Sequence, residues 1–432
     1  MILVYTQKMT PRIAYVFKHI CTRILGVEVH FTSVIEELIA HSGPKLSYGK
    51  QPMGNELFLQ SHGLLQQQGI ESIDLTVKDW EETRCFFSVS DKSVLPFDIF
   101  SASFFLLSRY EEYLPHVKDE FGRYPASESL GAKEHFLHVP VIDIWALKFQ
   151  KVLQRSFPDM VFPKRTLSIH SVVEAREPWA YKQKGMFRTS VAFLNDLAQL
   201  NFKNCWKRMQ VVVGLRKDPY DTFKWIINTV KKSTSKLTVF FLLGEAQMFS
   251  ESMNTRRLQF KLLVKFMADY KNVGLLFSTA SEGNETLQKE EKVRMEELLN
   301  RPLQSAMNTN YLVNLPDHYR NLVELEITED FTMVYEDTIG FRAGTCTPFL
   351  FYDLDYEIKT PLIVQPIAMT TCAFKHKFSS DIKKSVEQVH DSVAKVGGTF
   401  SIIFSNKDFS FTERNRVWRD LFSSKLYANE SH

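Results

Sequence analysis

The chain has 432 residues, of which 44% are hydrophobic and 24% charged, and it carries a net charge of +3. That length exceeds one ordinary core and leads to an expectation of two unequal domains, while the composition excludes a disordered or fibrous chain. Near-balanced charge without an Arg/Lys stripe interleaved with aromatics gives no nucleic-acid partner, and no run of about eighteen apolar residues offers a membrane span. Cys21, Cys85, Cys205, Cys346 and Cys372 are widely spaced and contain no Cys-x-x-Cys pair. A disulfide framework or cysteine zinc site is not expected, and a reducing compartment fits best. The apolar start is interrupted by Lys8, Pro11 and Arg12, too early for a secretory leader, so a cytoplasmic protein is expected.

In chain order, Ile2–Tyr5 reads as a strand and Pro11 to Leu25 as an amphipathic helix stopped by Gly26. Short extended runs at Val27–Thr32, Leu46–Tyr48 and Leu57–Leu59 give the pattern of a small α/β domain. Phe97–Tyr113 is apolar enough to be a helix buried at that domain's centre. Arg109, Glu111, Glu112, Asp119 and Arg123 form either a buried polar network between domains or ordinary ion pairs of a solvated loop. His135 and His138 lack further metal-type neighbours. Pro140 to Phe157 reads as a helix, and the proline-bracketed stretch from Phe157 to Arg165 as a linker, which divides the chain into domains 1–160 and 161–432. Beyond it, strands at Leu167–Val173, Leu237–Leu243, Val273–Ser278, Leu325–Thr328 and Phe400–Phe404 alternate with helices that include Arg256–Tyr270 and Glu282–Leu299. Repeated βα units with apolar strands predict a parallel sheet or barrel, with sites at the carboxyl ends of its strands.

Several stretches together carry a family resemblance: Phe97–Tyr113, Tyr124–Ser129, Ala180–Gly185, Asp218-Pro-Tyr-Asp-Thr-Phe223, Ile327–Met333, Gly340–Cys346 and Gly397-Gly-Thr-Phe400. The chain resembles polysaccharide deacetylases of the NodB-homology type, in a subgroup with an added N-terminal α/β domain. The resemblance implies a C-terminal deformed (β/α) barrel. It also implies a divalent metal held by an aspartate and histidines, an aspartate base oriented by an arginine, and a histidine acid. Metal polarisation of the acetyl carbonyl and of a bound water would drive the reaction.

Matched position by position, the base falls on Glu174 and the first metal ligand on Arg176. The next ligand falls on Leu276 and the acid on Ser405, while a further polar segment of the subgroup falls on Met307-Asn-Thr309. A guanidinium repels a cation, an isobutyl group cannot bind one, and an unassisted serine hydroxyl has no useful pKa near neutrality. Arg342 alone keeps its family residue type. His170 shares a strand face with Val172 and Glu174 and is expected to be structural or hydrogen-bonded.

The leading expectation is therefore a deacetylase-like pseudoenzyme without a cofactor. Its metal site would be replaced by a polar network of Glu174, Arg176 and Arg342 with Glu329 or Asp330, serving carbohydrate binding or assembly. The alternatives are an active divalent-metal-dependent deacetylase of N-acetylated sugars in surface-polysaccharide metabolism, using Glu174, and a protein-interaction subunit that docks a partner through residues such as Phe404, Phe409 and Phe411.

Overall fold

The structure is a computed structural model that describes residues 1–184, 186–231, 233, 235–243 and 255–427. Gly185, the last residue of the Ala180–Gly185 stretch, lies outside the described residues. Strands β1 (Ile2–Tyr5), β2 (Val29–Thr32), β3 (Lys45–Gly49) and β4 (Leu57–Gln60) form a parallel sheet in the order β2-β1-β3-β4. The segment between β1 and β2 begins as an α-helix at Pro11–Phe17, capped by Thr10, and widens into a π-helix at Lys18–Ile24.

The apolar stretch predicted as one helix is broken in two. Asp98 caps the fully buried helix Ile99–Leu107, and a left-handed Arg109 (φ 54°) turns the chain into Tyr110–Tyr113. That bend aims Glu112 towards Arg342 in the second half of the chain, while Glu111 accepts from the Leu130 N–H. A small antiparallel pair, β5 (Lys78–Trp80) and β6 (Thr83–Cys85), and the helix Val141–Ser156 complete this region.

The second sheet has nine strands: β7 (Ser168–Ala175), β8 (Lys236–Leu242), β9 (Asn272–Phe277), β10 (Ser305–Asn308), β11 (Glu329–Asp330), β12 (Phe349–Asp353), β13 (Ile358–Val364), β14 (Met369–Thr370) and β15 (Thr399–Ser405). Their order is β12-β13-β11-β10-β9-β8-β7-β15-β14, with every neighbouring pair parallel except β12 with β13. The hydrogen-bonded ladder leaves β12 and β14 as edges. Side chains of one face nevertheless converge: Val172, Phe240, Leu276, Met307, Phe331 and Ile403 meet in a single buried cluster. The sheet therefore curls around its own inner face, with the carboxyl ends of its parallel strands at one rim.

Gly274 makes this curl possible, because a Cβ there would lie 2.3 Å from the Phe240 ring and 2.8 Å from the Ser305 carbonyl oxygen. The strand expected at Leu325–Thr328 is not present. Glu326 (φ 54°) terminates the helix Asp317–Glu324 instead, with Ile327 N–H donating to the Leu322 carbonyl (2.9 Å), and pairing starts at Glu329. A helix end satisfying its last carbonyls in this way outcompetes the strand propensity of the short apolar run.

Candidate functional site

Three of the singled-out residues lie at or just beyond the carboxyl rim. Glu174 and Ser405 are register partners on β7 and β15, and Arg176 follows β7 directly. Arg176 Nε donates to Glu174 Oε2 at 2.8 Å and its Nη2 to Oε1 at 3.2 Å, the fork geometry that suits a carboxylate. Glu174 is buried whereas Arg176 keeps 34% of its side-chain surface, so the pair sits at the threshold between interior and solvent. Tyr311 closes the other side. Its ring lies 6.0 Å from the Arg176 guanidinium, and the consecutive left-handed conformations of Asn310 (φ 63°) and Tyr311 (φ 56°) turn it into the interior. Burial, with Glu174 beside it, raises the Tyr311 phenol well above its ordinary pKa, so it stays protonated.

Below the rim the interior is apolar. Leu276 is fully buried among Phe240, Met307 and Phe331. His170, two residues before Val172 on the same face, bonds the Thr238 hydroxyl at 2.9 Å and stands edge-on to Phe331 at 5.3 Å. Burial depresses its pKa to about 4, assisted by Lys236, so it is a neutral imidazole. Arg176 and Leu276, which the resemblance matches to ligand positions, carry a guanidinium and an isobutyl group, and among the described residues no three His, Cys, Asp or Glu side chains gather to hold an ion. The residues present do not fit a divalent cation.

Sequence reasoning passed over Asp408. Its Oδ2 accepts from the Ser405 N–H at 2.8 Å and the Thr371 hydroxyl at 2.7 Å, completing a capping box with Ser405. Burial raises its pKa, and Glu174 adds to the effect, so Asp408 is a second carboxyl group near Glu174. The readable signal was the Ser-x-x-Asp spacing at 405–408.

The other expected members lie elsewhere. Arg342 does not reach Glu174; its Nε and Nη2 donate to Glu112 Oε1 and Oε2 at 2.8 and 2.6 Å, and Arg109 Nε adds a third bond to Oε1 at 2.8 Å. All three side chains are buried. Asp330 accepts from the Tyr319 hydroxyl (2.9 Å) and from Thr332, while Glu329 accepts from Ser305 and Gln365. The polar network imagined as one therefore resolves into a rim pair, a seam to the N-terminal region and two local supports.

Of the two readings left open for the 109–123 acids and bases, the structure places Arg109 and Glu112 in a buried network. Arg123 lies nearer the surface and donates to Asp119 (2.7 Å), Glu336 (2.7 Å) and the Asn310 carbonyl (2.9 Å). It thereby straps the 119–127 loop across the rim and leaves a cleft of about 200 Å³ lined by Arg123, Tyr124, Tyr311, Tyr335 and Glu336. Phe404 and Phe409 are buried in the core and cannot dock a partner, while Phe411 is 75% exposed.

Residues 2–158 match the model of a family of unknown function, DUF7033. None of the curated proteins matches the sequence. Among solved structures, the chain is similar to a Mycobacterium smegmatis protein provisionally described as a polysaccharide deacetylase, at 9% identity and a TM-score of 0.41, over 62% of this chain and 87% of that one. It is similar also to PuuE allantoinase, at 11% identity and a TM-score of 0.37, over 61% and 86% of the two chains. A third is a glycoside hydrolase targeting pectin rhamnogalacturonan II, at 9% identity and a TM-score of 0.25, where this chain spans 51% of the other's length. Among the described residues no helix is long and apolar enough to cross a membrane.

Proposed function

We propose that this chain is a deacetylase-like pseudoenzyme, a cytoplasmic carbohydrate-binding or assembly protein with an added domain over residues 1–160 and a barrel-type domain over 161–432. The observation that carries this reading is the Glu174–Arg176 pair above an interior sealed by Leu276. In the resembled chemistry the base must face a metal-bound water. Here the corresponding carboxylate is neutralised by the cation standing at the ligand position, leaving neither a Lewis acid nor a free base.

The strapped cleft supplies what a glycan needs without that chemistry. Glu336 and Arg123 offer hydroxyl acceptors and donors there, above a floor made by the buried Tyr124 and Tyr335.

Two measurements test the proposal. Protein purified without chelator and assayed on N-acetylglucosamine oligomers with added zinc, cobalt or nickel is expected to hold no stoichiometric metal and release no acetate. Acetate release abolished by Glu174→Ala would overturn the reading in favour of an active deacetylase. Binding to a glycan array, lost in Arg123→Ala, is the positive counterpart.

A further inference from the structure

A second cleft, of about 500 Å³, lies between the π-helical turn Lys18–Ile24 and the β12–β13 pair, and shares no lining residue with the rim cleft. Its rim carries Lys18, Arg23 and Lys359, all exposed and, among the described residues, without an ion-pair partner; Glu28 is the lone carboxylate lining it. Exposed cations alone would be a solvated face. The floor makes the difference.

His19, 2% exposed, lines the cleft, and neither of its ring nitrogens has a hydrogen-bond partner. Leaving a buried donor and a buried acceptor unmade costs about 1–3 kcal/mol each, so such a ring is most simply explained as waiting for a partner. Burial holds its pKa at about 4, Asp143 opposing this and Arg23 and Arg165 adding to it. The ring is therefore neutral, with one N–H to give and one lone pair to fill. The wide π-helical turn places Lys18, His19, Thr22 and Arg23 along the same wall, a distortion that recurs at functional sites.

We infer that this cleft binds a small phosphorylated, hydroxyl-bearing molecule of the sugar-phosphate class. Three cations facing one carboxylate match a phosphate dianion, and the volume suits a ligand of that size. The His19 ring, whose nitrogens are enclosed before the ligand enters, then gives its N–H to a ligand oxygen. This inference is independent of the pseudoenzyme proposal.

The test is calorimetry on the full chain with glucose 6-phosphate, inorganic phosphate and glucose, together with nitrogen-edited NMR of the imidazole rings. Glucose 6-phosphate is expected to bind more tightly than inorganic phosphate and to weaken as salt is raised, while glucose gives no heat. The triple variant K18E/R23E/K359E, changed only at exposed positions, should lose at least about tenfold in affinity. One imidazole signal, absent from His19→Gln, should move on saturation with glucose 6-phosphate. No heat from glucose 6-phosphate at millimolar concentration, undiminished binding by the triple variant, equal binding of glucose, or an unmoved His19 signal on saturation would each overturn the inference.

Discussion

Arg342 and Glu112 face each other as a two-bond fork, at 2.8 and 2.6 Å, with both side chains buried. Arg109 shares the same carboxylate and also donates to the Arg342 carbonyl oxygen. Removing the carboxylate leaves two buried guanidinium groups to lean on what remains around them. Glu112→Gln is therefore expected to lower unfolding free energy by about 3–5 kcal/mol in urea titrations. Glu128→Gln, which removes the surface partner of Lys133, should cost about 0–1 kcal/mol. Equal effects of the two would contradict the energetic role given to the seam.

Acid should unfold the protein in two stages. Burial pushes the Glu112 carboxyl up, but Arg342 and Arg109 outweigh it and bring it from 4.5 down to about 2. A depressed carboxyl contributes stability that is present above its unfolded value and is lost as pH falls from about 4.5 towards 2. His170 and His19 fall from 6.5 to about 4, chiefly through burial. The unfolded chain takes up their protons first, so their share drains between pH 6.5 and about 4. Urea midpoints measured across this range should be level above pH 6.5 and then decline. His170→Gln should flatten part of the upper stage and leave the share of His19.

Gly274→Ala is expected to cost about 1–3 kcal/mol, because its new methyl meets the Phe240 ring and the Ser305 carbonyl. Adding Phe240→Leu removes the ring contact but not the backbone one. The double variant should thus recover only part of the loss in the same titrations.

If the proposed pseudoenzyme reading holds, dialysis against EDTA should leave the melting temperature where it was and added zinc should not raise it, because a chain that binds no metal links no such binding free energy to folding. Leu276→His, which places a ligand-type side chain at one position, should destabilise by about 1–3 kcal/mol. Its ring would enter an apolar cluster that has no partner for it.

Much of the curled sheet was legible in the chain because its central strands are apolar runs: Lys236–Leu242, Asn272–Phe277 and Thr399–Ser405 were each foreseen within two residues. Strands β11 and β14, of two residues each, carry no period to read. The scaffold motifs also acquire causes. Asp218 accepts from the backbone N–H groups of Ala180, Tyr181 and Lys182, which ties those two stretches to each other. The Glu174–Arg176 pair was readable from alternation along one strand. Glu112 with Arg342 was not, since nothing local at either residue names a partner 230 positions away.

That separation has a consequence for how the chain is made. When the N-terminal sheet leaves the ribosome, the Arg109–Glu112 bend is complete in sequence but lacks its closing guanidinium until 230 further residues have been added. The helix Ile99–Leu107 and the loop leading to Val141–Ser156 must wait with one flank uncovered, because Gly340 and Gly344 pack against Leu137 and Leu106 only afterwards. The first third of the polypeptide therefore keeps that flank open to water until the last quarter supplies the surface that closes it.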